Sequence, residues 1–135
     1  MAFSWGMYIL LADELTKKGG QHRFRTAISR AYYGAFGQTR DLMEIHGYKV
    51  STPDVHRKFR NQIIDIGKII DTRESRILTL KLAGDLKRIW YDRCIADYDG
   101  NLEVKKDQAE KAWLTAKGIA SKLEDYENQI LKVKS

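Results

Sequence analysis

The stretch Ala27-Ile28-Ser29-Arg30-Ala31-Tyr32-Tyr33-Gly34-Ala35-Phe36 decides the fold. Ala27, Ala31 and Ala35 recur at every fourth position, a helical spacing that stacks them in one row. Small side chains in such a row let a neighbouring helix approach closely, while Tyr32 and Phe36 fill the flanks. The stretch therefore reads as the middle of a central helix over about Gln21 to His46, with Phe24, Ile28, Thr39, Leu42 and Met43 extending its inward stripe.

Working outward, the helical period recurs in four more segments, and no segment longer than a few residues alternates as a half-buried strand would. Upstream, a helix is expected from about Ser4, its N-cap, to Lys18, with Tyr8, Leu11, Ala12 and Leu15 inward and Gly19-Gly20 as the stop. Downstream of Gly47, Thr52 and Pro53 read as the N-cap and first position of a third helix reaching about Asp71. Val55, Phe59, Ile63, Ile66 and Ile70 line its inner face, leaving Arg57, Lys58 and Arg60 opposite. A fourth helix begins between Thr72 and Ser75 and runs to about Ala96, with Ile77, Leu80, Ala83, Leu86, Trp90 and Cys94 as its expected buried row. After the turn Asp97-Tyr98-Asp99-Gly100-Asn101, the fifth starts near Asp107, with Glu110 placed for a capping box. Its inward stripe takes in Ala109, Ala112, Trp113, Ala116, Ile119, Leu123, Tyr126 and Ile130. The expected architecture is an all-α, up-and-down bundle of about five helices in one domain, residues 1–135.

Composition agrees with a folded helical chain: 43% hydrophobic, 31% charged and a single proline. The lone cysteine, Cys94, excludes an intramolecular disulfide and reads as a packed thiol. No run approaches the roughly 18 to 20 apolar residues that span a bilayer, and no basic leader precedes Asp13 and Glu14, so a cytoplasmic protein off the membrane is expected. His22, His46 and His56 lack metal-ligand spacing, and Gly19-Gly20 lacks the lysine of a phosphate loop, so no metal or cofactor is expected.

The net charge of +6 is concentrated: residues 21–93 hold 15 Lys or Arg against 8 Asp or Glu, including all ten arginines. Guanidinium forks match phosphate geometry, which makes a phosphate-bearing partner a natural candidate beside a merely solvated basic surface.

The stretch from Ala27 to Phe36, together with Arg93-Cys94-Ile95-Ala96-Asp97-Tyr98-Asp99 at the end of the fourth helix, resembles the signature of the HEPN family (higher eukaryotes and prokaryotes nucleotide-binding). The resemblance covers nearly the whole chain and implies a HEPN-like helical bundle, a homodimer, and a toxin and antitoxin pairing with a nucleotidyltransferase partner. RNA is the usual target of the family's active branch. That branch is a metal-free ribonuclease whose motif is an arginine followed, after four to six residues, by a histidine. The arginine holds the scissile phosphate, and the histidine moves the proton of the attacking 2′-hydroxyl.

This chain departs from the motif at its decisive position. Beyond Arg93 the corresponding residues are Tyr98, Asp99 and Gly100. A tyrosine with a pKa of about 10 is a poor base at neutral pH, and an aspartate needs a raised pKa to act as an acid. Arg40 and His46 match the spacing literally, but on another helix. The resemblance thus implies a non-catalytic or weakly active member that binds RNA or a nucleotidyltransferase partner. Expected binding residues are Arg30, Tyr33, Arg57, Arg60, Arg88, Arg93, Asp97 and Tyr98, with Arg30, Arg93, Asp97 and Tyr98 in one polar cleft or Arg30 paired structurally with Asp97 or Asp99. The alternatives are a metal-free endoribonuclease toxin using Arg93 with Tyr98 or Asp99, and a helical scaffold with no nucleic-acid role.

Overall fold

Gly19 and Gly20, both at positive φ (81° and 96°), turn the chain between helix α1 (Gly6–Lys18) and helix α2 (Gln21–Ile45), which pack against each other. A computed structural model describes residues 3–50 and 56–134; Thr52, Pro53 and Val55 lie outside the described residues. The remaining helices are α3 (His56–Ile69), α4 (Arg73–Tyr98) and α5 (Lys106–Tyr126), the last continuing through a π-helical stretch, Glu127–Leu131, into a final turn, Lys132–Lys134. The chain is an all-α bundle of five helices, with no strand among the described residues.

The central helix is α2, which packs on α1, α4 and α5. Ala27, Ala31 and Ala35 are fully buried, with Ile28, Tyr32, Phe36, Thr39 and Met43 beside them. Two glycines on α2 set the distance to α1: a Cβ on Gly37 would stand 2.0 Å from Trp5, and one on Gly34 2.8 Å from Ile9. Helix α3 packs chiefly on α4 and reaches α2 through Phe59, whose ring centroid lies 4.3 Å from that of Phe36. Phe59, Ile63, Ile66 and Ile70 are buried as their spacing predicts.

Helix α4 is turned by about one residue from its expected register. Ile77 and Leu80 are 41% and 55% exposed and Trp90 and Cys94 half-buried, whereas Ser75, Thr79, Leu82 and Ile89 face inward with Ala83 and Leu86. Hydroxyls make this possible: Thr79 Oγ1 donates to Ser75 O at 2.8 Å, and Ser75 Oγ pairs with Tyr126 Oη at 2.7 Å. A buried polar group that is hydrogen-bonded carries little penalty, so polarity alone misplaces it on the surface. Tyr126→Phe leaves the Ser75 hydroxyl without its partner in the core. A loss of about 1 to 2 kcal/mol is expected in chemical denaturation, and an unchanged midpoint would refute the pairing.

The helix ends also differ in part. Helix α4 begins within the expected Thr72 to Ser75 window, with Thr72 as its cap, Oγ1 accepting from Ser75 N at 3.0 Å. Ser4 does not cap α1 through its side chain; Trp5 occupies that position, held in an edge-to-face group with Phe3 and Tyr8. Helix α5 starts at Lys106, and Lys105 N donates to Gln108 Oε1 at 2.7 Å, so Gln108 takes the role expected of Glu110.

Candidate functional site

Gln21, Arg25, Ser29 and Tyr33 recur at every fourth position of α2 and therefore share one face. Each meets the end of α4 or the turn after it. Gln21 Oε1 accepts from Val104 N at 3.0 Å while its amide donates to Val104 O. Arg25 Nη1 donates to Ala96 O and Asp99 O, both at 3.0 Å, and Nη2 donates to Leu102 O. A helix ends with carbonyls that lack intrahelical donors, and Arg25 supplies donors from across the bundle. Ser29 Oγ makes a long hydrogen bond, 3.4 Å, to Asp97 Oδ2. The last of the row, Tyr33, places its ring against Arg93.

Arg93 is the hub of the cluster. Its Nε donates to Asp97 Oδ2 at 2.9 Å and its Nη2 to Tyr98 Oη at 3.3 Å. Its Cζ lies 5.1 Å from the ring centroid of Tyr33 and 5.3 Å from that of Tyr98, distances at which a cation is attracted to an aromatic face. The guanidinium is thus flanked by two rings and anchored by a carboxylate. The side chain of Arg93 is only 12% exposed, while Tyr98 is 75% exposed. Burial works against the charge on Arg93, but Tyr33, Asp97 and Tyr98 outweigh it and hold its pKa above the ordinary value. Burial, with Asp97 next, pushes the Tyr33 hydroxyl up against the pull of Arg93, so at neutral pH it is a donor rather than a base.

The structure distributes the expected binding residues over four places. Arg93, Asp97, Tyr98 and Tyr33 come together. Asp99 faces the following turn, where its Oδ1 accepts from Asn101 N at 3.2 Å. Arg30 turns instead toward α1, with Cζ 4.8 Å from the Tyr8 ring centroid, because it stands one residue, about 100° of helix, from Ser29. The link between α2 and the end of α4 is made by Arg25 and Ser29, not by Arg30.

Arg57 is exposed and Arg60 half-buried, both beside a groove between α3 and α4. Arg60 lies over the Trp90 ring at 5.1 Å, and burial lowers its pKa from the ordinary value. Arg88 faces α5 instead: it pairs with Asp85 at 2.5 Å and lines a cavity of about 170 Å³ with Asp92 and Lys111. Burial there raises the Asp92 carboxyl above its ordinary value, with Lys111 and Arg88 opposing.

Arg40 and His46, the literal match to the arginine and histidine spacing, each have another partner. Arg40 sits over Trp5 at 5.4 Å, while His46 Nε2 reaches Glu127 Oε2 at 3.0 Å. His56 Nδ1 meets Tyr32 Oη in the interior. Among the described residues no three His, Cys, Asp or Glu side chains are grouped to hold a metal ion, and no helix is long and apolar enough to cross a membrane.

No family model, curated protein or solved structure matches the chain. The functional reading therefore rests on the geometry around Arg93 and on the two motifs from which it is built.

Proposed function

We propose that the chain is a HEPN-type, homodimeric, cytoplasmic protein that binds RNA without cleaving it, working with a nucleotidyltransferase partner in a toxin and antitoxin-like pair. The observation that carries this reading is Arg93, flanked by Tyr33 and Tyr98 and anchored to Asp97. A guanidinium held in place suits one phosphate, and the exposed face of Tyr98 suits an unpaired base. Two features of the cluster speak against cleavage. Among the described residues Arg93 bonds Asp97 and Tyr98 rather than a histidine, and Tyr33, one of the two tyrosines beside it, has a pKa shifted away from that of a base.

The test is made on purified protein. Light scattering is expected to give the mass of two chains, and labelled single-stranded RNA is expected to bind with an affinity that falls steeply with salt, as counterion release requires. Incubation with that RNA in EDTA is expected to leave it intact. Products ending in a 2′,3′-cyclic phosphate would reject the non-cleaving reading in favour of a metal-free ribonuclease. One observation favours that second reading: Tyr98 Oη lies 3.3 Å from Arg93 Nη2, so hydroxyl and guanidinium sit side by side. Absence of RNA retention at low salt would reject both.

A further inference from the structure

The outer seam between α3 and α4 holds a groove of about 390 Å³. Its walls have a regular origin: Arg57 to Ile64 on α3 and Leu80 to Lys87 on α4 each enter at i, i+3, i+4 and i+7, one face of each helix. The two helices run back along each other, so the groove has unlike ends. Arg57, Arg60 and Lys87 gather at one, and Ile64 and Leu80 at the other, with Ala83 and Gly84 along the floor. Among the described residues no ion pair reaches these three side chains. Arg60 Nη1 is buried and has no hydrogen-bond partner among the described residues.

Gly84 is the second observation. It is exposed in the interior of α4, where glycine costs about 0.5 to 1 kcal/mol relative to alanine. Nothing lies within 4 Å of the Cβ it lacks, so no contact inside this chain requires its smallness. The open position leaves room there for a close approach from outside the chain. Leu80, 55% exposed, and Ile77, 41% exposed, extend the apolar surface beside it.

We infer that this groove is the docking site for an amphipathic helix of a different protein, with apolar side chains at i, i+3 and i+4 and carboxylates at one end. The apolar end and the missing Cβ fit a helix laid into the seam, the usual helix-in-groove arrangement, and the cationic end fixes its direction. A nucleic-acid backbone fits less well, since Ile64, Leu80 and Ala83 offer nothing to phosphates. A second copy fits less well too, since a twofold contact sets this lining against itself, and it holds no carboxylate to meet Arg57, Arg60 and Lys87.

The test uses two synthetic probes, an alanine-rich helical peptide carrying a leucine stripe with glutamates at one end, and the same peptide with lysines for the glutamates. Fluorescence anisotropy with the intact chain is expected to show saturable binding of the acidic peptide and at least roughly tenfold weaker binding of the basic one. Gly84→Phe fills the groove from an open position, and K87E inverts its charge. Each is expected to lose the acidic peptide while keeping helical circular dichroism and RNA retention. Equal binding of both peptides, no binding of either, or indifference to Gly84→Phe overturns the inference. Loss of RNA retention in Gly84→Phe makes the groove a nucleic-acid path, and conversion of a dimer to a monomer makes it a self-interface. Both outcomes also reject it, and neither depends on Arg93.

Discussion

Gly67→Ala is expected to destabilise the protein by about 1 to 3 kcal/mol, although alanine is the better helix former. Gly67 is buried where α3 crosses α4, and a Cβ there would stand 1.9 Å from Thr79 Oγ1, 2.9 Å from its Cβ and 3.0 Å from its Cγ2. Thr79 has little room to yield, because its hydroxyl bonds Ser75 O at 2.8 Å in the middle of a helix. The seam must open for the methyl to fit. Thr79→Ala removes two of the three clashing atoms, so the double variant is expected to be more stable than the sum of the singles, a coupling that urea midpoints measure. A neutral Gly67→Ala would mean that the two helices do not approach as closely as described.

Arg93→Ala is expected to weaken RNA binding by roughly 10- to 100-fold, the effect of removing a charge-assisted contact worth about 1.4 to 2.7 kcal/mol. Its effect on folding is expected to be small. The carboxylate it leaves behind, Asp97, is exposed and keeps Ser29 as a donor, so no buried charge is stranded. Arg93→Lys is expected to recover little affinity, because a lysine lacks the planar fork that reaches Asp97 and Tyr98 at once. Filter binding beside thermal melts decides the matter. Intact RNA affinity with a lowered melting temperature would make the cluster structural and remove the reason for proposing an RNA site.

How much of this was legible in the sequence follows from what each row of residues is made of. The alanine row of α2 and the isoleucine row of α3 announce themselves, since apolar side chains at helical spacing have one low-energy direction. On α4 the inward row contains Ser75 and Thr79, whose hydroxyls are satisfied within the bundle. Reading by apolarity alone therefore turns that helix toward Ile77 and Leu80. Arg30 was misplaced for a related reason: its neighbour Ser29 holds the position that faces α4, and a one-residue difference cannot be resolved without knowing where α1 lies.

The site itself was half legible. Arg93, Asp97 and Tyr98 share one end of one helix, so sequence proximity finds them. Gln21 and Arg25 give no such sign, because a polar row at every fourth position reads as a solvated face until the carbonyls of a distant helix end are set against it. The row's continuity with Ser29 and Tyr33 was the available signal.

That row also ties together parts of the chain that would otherwise open separately. Val104 is a loop residue, yet it is buried, and its amide is bonded to the first residue of α2, immediately after the two glycines of the α1–α2 corner. Arg25 holds the loop at the Asp99 and Leu102 carbonyls and the end of α4 at that of Ala96. The turn after α4 therefore cannot lift away while the start of α2 is intact. Its amides share the opening free energy of the central helix rather than that of a surface loop, and hydrogen exchange would find the corner, the turn and the Arg93 platform in one cooperative unit.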